Sequence, residues 1–249
     1  MRTTDMTGVN VKEKKVLLSS TKEEFIKKLT FHSEDEKTRC LNYLDLKGLS
    51  YHVVLANYIG FNSKGKIEYK KVSNLYKYDK RIRNILYKYL SALEEGIRGF
   101  ISNTYSNDLK KYKKLSKRIF DLIQQGSSLT KELENLEFNK LIDLSMKLDE
   151  SLLIQLYGSV DNLEANLNAV RVLRNTVSHH RMLFVYEDFE ICYIDGIECN
   201  SLVDNIRNLH QLLKPYYKEF FKDAINESCT DEEDSQFKYS LPIKTVLSI

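Results

Sequence analysis

Two adjacent histidines, His179 and His180, stand between Arg174 and Arg181 in the stretch RNTVSHHR, with Asn175 beside the first arginine. The chain has only five histidines, so the pairing concentrates a rare side chain. Histidine transfers protons near neutral pH, and arginine is a permanent planar cation that donates paired hydrogen bonds to phosphate oxygens. Together these capacities suit cleavage of RNA without a metal. A base takes the ribose 2′-hydroxyl proton, an acid protonates the departing 5′ oxygen, and a fixed cation balances the charge growing on the phosphate. The sequence shows no CxxC pair, Cys–His ligand set or carboxylate cluster, so the expectation is no metal and no cofactor.

The element that carries the motif is legible as an apolar repeat. Leu163, Leu167, Val170, Leu173 and Val177 predict a helix that starts near Asp161, a cap residue, and ends close to the histidines. On that helix Asn175 and His179 share a face, whereas Arg174 and His179 lie roughly 140° apart. A straight isolated helix would not focus both on one phosphate. Either the helix distorts, or two copies of the motif face each other across a two-fold axis. Structural readings stand beside the chemical ones. His179 can be a helix-end residue favoured by the macrodipole, His180 a half-buried neighbour of Leu173, Asn175 a cap or buried polar group, and Arg174 an ion-pair partner of Glu94 or another acid.

Upstream, YDKRIRNILYKYLSALEEGIRGFI repeats Ile82, Leu86, Tyr89, Leu93, Ile97 and Phe100 at helical steps, with Asp79 expected at the helix start. Glu94 and Arg98 are i, i+4 neighbours and can pair. From Lys64 to Arg118 the chain holds sixteen Lys or Arg against five Asp or Glu, a local charge of +11 in a chain of net charge +3. Seven of the sixteen tyrosines lie in the same stretch, and cations mixed with flat rings make a nucleic-acid surface. Lys110, Lys111, Lys113, Lys114, Lys117 and Arg118 are the candidate RNA contacts, with a solvated face as the plainer reading. Their segment reads as one helix closed by Gly126.

With 249 residues, two prolines and nine glycines, the chain favours long helices over many short strands. Residues 1–20 read as a flexible arm, 21–76 as an N-terminal helical region, 77–225 as the main helical domain, and 226–249 as a flexible acidic tail. MLFVYEDFEICYIDGIECN, just after the motif, reads as a short β-hairpin or extended excursion, and Pro215 marks a kink within a last helix near Leu202–Lys222. Scattered cysteines, no apolar leader at the N-terminus and no run long enough to span a membrane point to the cytoplasm, away from membranes.

Arg174-Asn175-x-x-x-His179 resembles the R-x-x-x-x-H signature of the HEPN superfamily in its RN form. VLRNTVSHHRMLF looks like the LRN-x-x-AHH-x-R-L block of the Abi-like abortive-infection proteins (the AbiD/AbiF type), and the helix with Glu94 and Arg98 looks like that family's upstream E-x-x-x-R helix. The N-terminal stretch CLNYLDLKGLSYHVVLANYIGF fits more loosely, so the likeness spans most of Thr38–Lys222. The spacer between the second histidine and the arginine is missing here, and Ser178 stands where a small residue is usual.

The resemblance implies an all-α HEPN-like bundle that dimerises, cleaves RNA without metal at a cleft shared by two copies, and acts in bacterial defence against phage. In that reading Arg174, Asn175 and His179 are catalytic, and His180, Arg181, Glu94 and Arg98 are accessory. RNA is the substrate, and a neutralising RNA or protein is a further partner. The competing class is a non-catalytic RNA-binding or protein-interaction module. A DNA-binding regulator lacks a helix-turn-helix signal.

Overall fold

The computed structural model describes residues 21–106 and 108–249, so the expected arm at 1–20 lies outside the described residues. Helix accounts for 68% of the described residues and strand for 4%, which makes the fold all-α. The described residues form two compact units, 21–77 with 239–242 and 78–238 with 243–249.

In the first unit, α1 (Lys22–Lys27) opens on a Thr21–Glu24 capping box, and β1 (Leu29–Thr30) pairs in parallel with β2 (Ile67–Glu68). Ser33 caps α2 (Glu34–Lys47), and α3 (Leu49–Ile59) follows after Gly48 alone. Gly48 makes that abrupt junction at φ 89°, where a side chain would be strained. Its carbonyl accepts a hydrogen bond from Nδ1 of the buried His52 at 3.0 Å, and the imidazole stacks on Tyr76. Burial pushes the His52 imidazole below its ordinary pKa, against the raising effect of that bond.

α4 (Tyr69–Tyr105) begins in this unit and continues into the second. It starts well before the expected position at Asp79, because Val72, Leu75 and Tyr78 extend the apolar stripe toward the N-terminus and are fully buried. The basic segment is also revised. It forms two helices, α5 (Leu109–Leu115) and α6 (Lys117–Gln124), broken at the extended Ser116, whose hydroxyl caps α6 by accepting from Ile119 N–H. α7 (Leu129–Glu134), α8 (Phe138–Ser145) and α9 (Glu150–Tyr157) are short.

α10 (Leu163–Ser178) carries the motif; its N-cap is Asn162, in the left-handed conformation, and not Asp161. Leu167, Val170 and Leu173 put its apolar face in the core, against α8, α11 (Leu202–Leu212) and β3 (Cys192–Ile194). Asn166 ties these together, accepting from Tyr193 N–H at 2.7 Å on its side chain and from Asn208 Nδ2 at 2.8 Å on its carbonyl. The expected hairpin is present: β3 pairs antiparallel with β4 (Ile197–Cys199) around Asp195-Gly196, both at positive φ.

Pro215 does not kink a helix. It is the first residue of α12 (Pro215–Glu227), where its missing N–H costs nothing. The segment expected as a flexible tail is packed instead. It carries α13 (Phe237–Ser240) and buries Cys229, Phe237 and Leu247, with Leu247 N–H donating to Tyr78 Oη at 3.0 Å. Its acidic run is engaged as well, since Arg81 pairs with Asp231 and holds that carboxyl below the usual range.

Candidate functional site

The motif lies where α10 ends. Ser178 is the last helical residue and His179 the cap, its N–H donating to the Asn175 carbonyl at 2.9 Å. His180 then takes φ 53°, a left-handed conformation that is uncommon outside glycine, though less so for histidine than for most residues. His180 N–H donates to the Val177 carbonyl and Arg181 N–H to the Thr176 carbonyl, both at 3.1 Å. These two bonds make a Schellman turn with histidine in the place usually held by glycine. Continuing the helical wheel puts His180 beside Leu173, half-buried. The left-handed turn overturns that, and both imidazoles are exposed. Arg181 is exposed too, its guanidinium 5.3 Å from the Tyr186 ring centroid.

Arg174, one turn earlier, points elsewhere. It lines a polar cleft of about 500 Å³ with Glu94, Arg98, Glu134, Glu137 and Phe138. Its guanidinium lies 5.8 Å from the centroid of the buried Phe138 ring. The expected plain partner, Glu94, is taken: Arg98 binds it at 2.6 Å and also donates to the carbonyls of Leu133 at 3.0 Å and Leu136 at 2.8 Å. Glu94–Arg98 therefore holds the α7–α8 connection, and Arg174 has no ion pair among the described residues. Asn175 is half-buried and its side chain makes no hydrogen bond among the described residues, which leaves its amide available to a ligand.

One chain thus brings Arg174 together with Glu94 and Arg98, and does not bring His179, His180 or Arg181 into that cleft. Lys110, Lys111, Lys113, Lys114, Lys117 and Arg118 are all exposed on α5 and α6, with Lys111 paired to Asp108 at 3.2 Å and Lys113 5.5 Å from the Phe120 ring centroid. Among the described residues no three His, Cys, Asp or Glu side chains converge as a metal-ligand set, and no helix is long and apolar enough to cross a membrane.

Sequence reasoning missed Phe138, Glu134 and Glu137, which reach the cleft from a distant segment and carry no motif. It also misassigned Asp79. This carboxylate is fully buried, accepts Arg83 Nε at 2.7 Å and Leu183 N–H at 2.6 Å, and so ties α4 to the backbone just after the histidines. Burial pushes its pKa up, while Arg83 and the N–H groups of Leu183 and Phe184 pull it down. The i, i+4 spacing of Asp79 and Arg83 was the available signal.

No family model, curated protein or solved structure compared with the chain matches it.

Proposed function

We propose that this protein is a metal-independent endoribonuclease that cleaves RNA by attack of the ribose 2′-hydroxyl on the adjacent phosphate. The observation that carries the reading is the guanidinium of Arg174, without an ion pair among the described residues and half-buried on Phe138 one turn before two solvent-facing histidines. An arginine already neutralised by Glu94 would have little to offer a phosphate. Here Arg98 satisfies that acid.

In the reaction His179 accepts the 2′-hydroxyl proton, and the 2′ oxygen bonds to phosphorus. Arg174 stabilises the charge on the non-bridging oxygens, and the bond to the 5′ oxygen breaks as an acid protonates it. The products are a 2′,3′-cyclic phosphate and a 5′-hydroxyl. Asn175 orients His179 or the RNA. No histidine lines the cleft of Arg174, so the reading sets two copies of the end of α10 against each other, with His179 of the partner subunit as the second proton carrier. The exposed cations of α5 and α6 hold the RNA backbone. The setting the resemblance implies is a cytoplasmic abortive-infection protein, active against phage and restrained by an RNA or protein partner.

Purified protein incubated with total RNA tests this. Wild type cuts; His179→Ala folds, binds RNA and does not cut. Binding without cutting by wild type would leave a non-catalytic RNA-binding module as the function.

A further inference from the structure

We propose that Asp79 is the positioning residue of the His179–His180 turn, acting through the backbone and not through contact with substrate. The inference rests on the reading of those histidines as reacting groups, but its geometry stands apart from any activity.

The backbone after α10 is clamped at two places. At one, His180 and Arg181 close the Schellman turn on Val177 and Thr176. At the other, Leu183 N–H meets the Asp79 carboxylate at 2.6 Å. Only Met182 separates Arg181 from Leu183, and it is buried. The exposed histidines and Arg181 therefore lead directly into a segment fixed from beneath. Tyr78, next to Asp79, adds to the fixation by stacking on Phe184 at 5.3 Å and 13°.

Asp79 suits such a role. It is fully buried more than two turns inside α4, so the helix backbone on both sides fixes its position. A buried carboxylate needs partners, and it finds them in Arg83 on its own helix and in the backbone of the strap. The strap thereby supplies part of the hydrogen bonding of a buried carboxyl group, and it cannot drift without leaving that group short of a partner. A left-handed histidine stores conformational energy that the surroundings must hold, and the Asp79 anchor lies three residues beyond it.

The test is NMR of the full chain with isotope-labelled histidine, in wild type and Asp79→Asn. The amide keeps the size of the carboxylate, loses its charge, and leaves Arg83 without a counterion. The expected result is a folded protein in which the ring signals of His179 and His180 move toward free-histidine positions and lose their difference, while His52 is unchanged. If RNA is cleaved, kcat falls by about tenfold to a hundredfold with little change in KM. Cys40→Ala, a core change in the other unit, is the control that destabilises without moving these signals. A folded Asp79→Asn protein with wild-type ring signals overturns the proposal. If that variant does not fold, hydrogen exchange of the wild type decides. The amides of His180, Arg181 and Leu183 should open as one unit, and separate opening of Leu183 overturns the proposal. Wild type that never cuts RNA defeats the endoribonuclease reading and leaves the NMR result to stand or fall alone.

Discussion

Glu94 and Arg174 line one cleft, yet Glu94 is bound to Arg98 at 2.6 Å and Arg174 has no ion pair among the described residues. The upstream pair thus does two things. It fastens the backbone between α7 and α8, and it keeps a carboxylate from neutralising the arginine of the motif.

That division of labour predicts a compensating pair of substitutions. Arg98→Ala should lower stability by about 2–3 kcal/mol, since it removes charge-assisted bonds to Glu94 and to two carbonyls. It should also abolish most cleavage by releasing Glu94 to Arg174. Adding Glu94→Gln should restore part of the cleavage and none of the carbonyl bonds. Urea unfolding and RNA cleavage of the single and double variants check both. Additive loss of activity would mean that Glu94 never competes for Arg174.

Arg174→Lys separates charge from geometry. The ammonium preserves the positive charge but cannot reproduce the planar fork on a phosphate. Cleavage should fall by about a hundredfold or more, as for loss of other oxyanion donors, with RNA affinity little changed. A lysine variant as active as wild type would show that only charge is needed there.

The lysine cluster on α5 and α6 predicts a salt effect. Replacing Lys110, Lys111, Lys113 and Lys114 with Gln should weaken RNA binding and reduce the slope of log affinity against log salt by about 2–3 units, since each single-strand phosphate contact contributes about 0.7. All four are exposed, so the fold should be unaffected. An unchanged slope would make them a solvated face.

The first unit predicts an acid sensitivity. Burial depresses the His52 imidazole in the folded state, so the stability that depends on its neutral form is complete above the ordinary value of 6.5 and is lost as pH falls through the lowered value. Hydrogen exchange of α2 and α3 should therefore speed up as pH is lowered from about 7 to about 5, after correction for intrinsic rates. His52→Gln, which cannot titrate, should flatten that response. An identical response in the variant would place the acid sensitivity elsewhere.

The helical class, the motif helix and the hairpin were legible because each rests on a local pattern: the stripe from Leu163 to Val177, and Asp195-Gly196 between β-rich segments. The direction of the histidines was not. A helical wheel extends a helix that the chain ends at Ser178, and the left-handed turn at His180 has no glycine to announce it. The break at Ser116 was hidden for the same reason, since lysines on both sides of it read as one amphipathic run. Phe138 reaches the cleft of Arg174 only through tertiary packing, which no spacing in the sequence encodes. Asp79 reads as a helix cap because carboxylates often sit there; of its partners, Leu183 is distant in sequence and contributes only a backbone N–H.

The central claim is cleavage by His179 and Arg174 through the 2′-hydroxyl, and the chemistry of the cut ends tests it most directly. Purified wild type should cut single-stranded RNA in the presence of chelator, leaving a 2′,3′-cyclic phosphate and a 5′-hydroxyl, and should leave DNA of the same sequence intact. His179→Ala should cut neither. Ends bearing a 5′-phosphate, activity lost to chelator and restored by magnesium, or cleavage that survives His179→Ala would contradict the account.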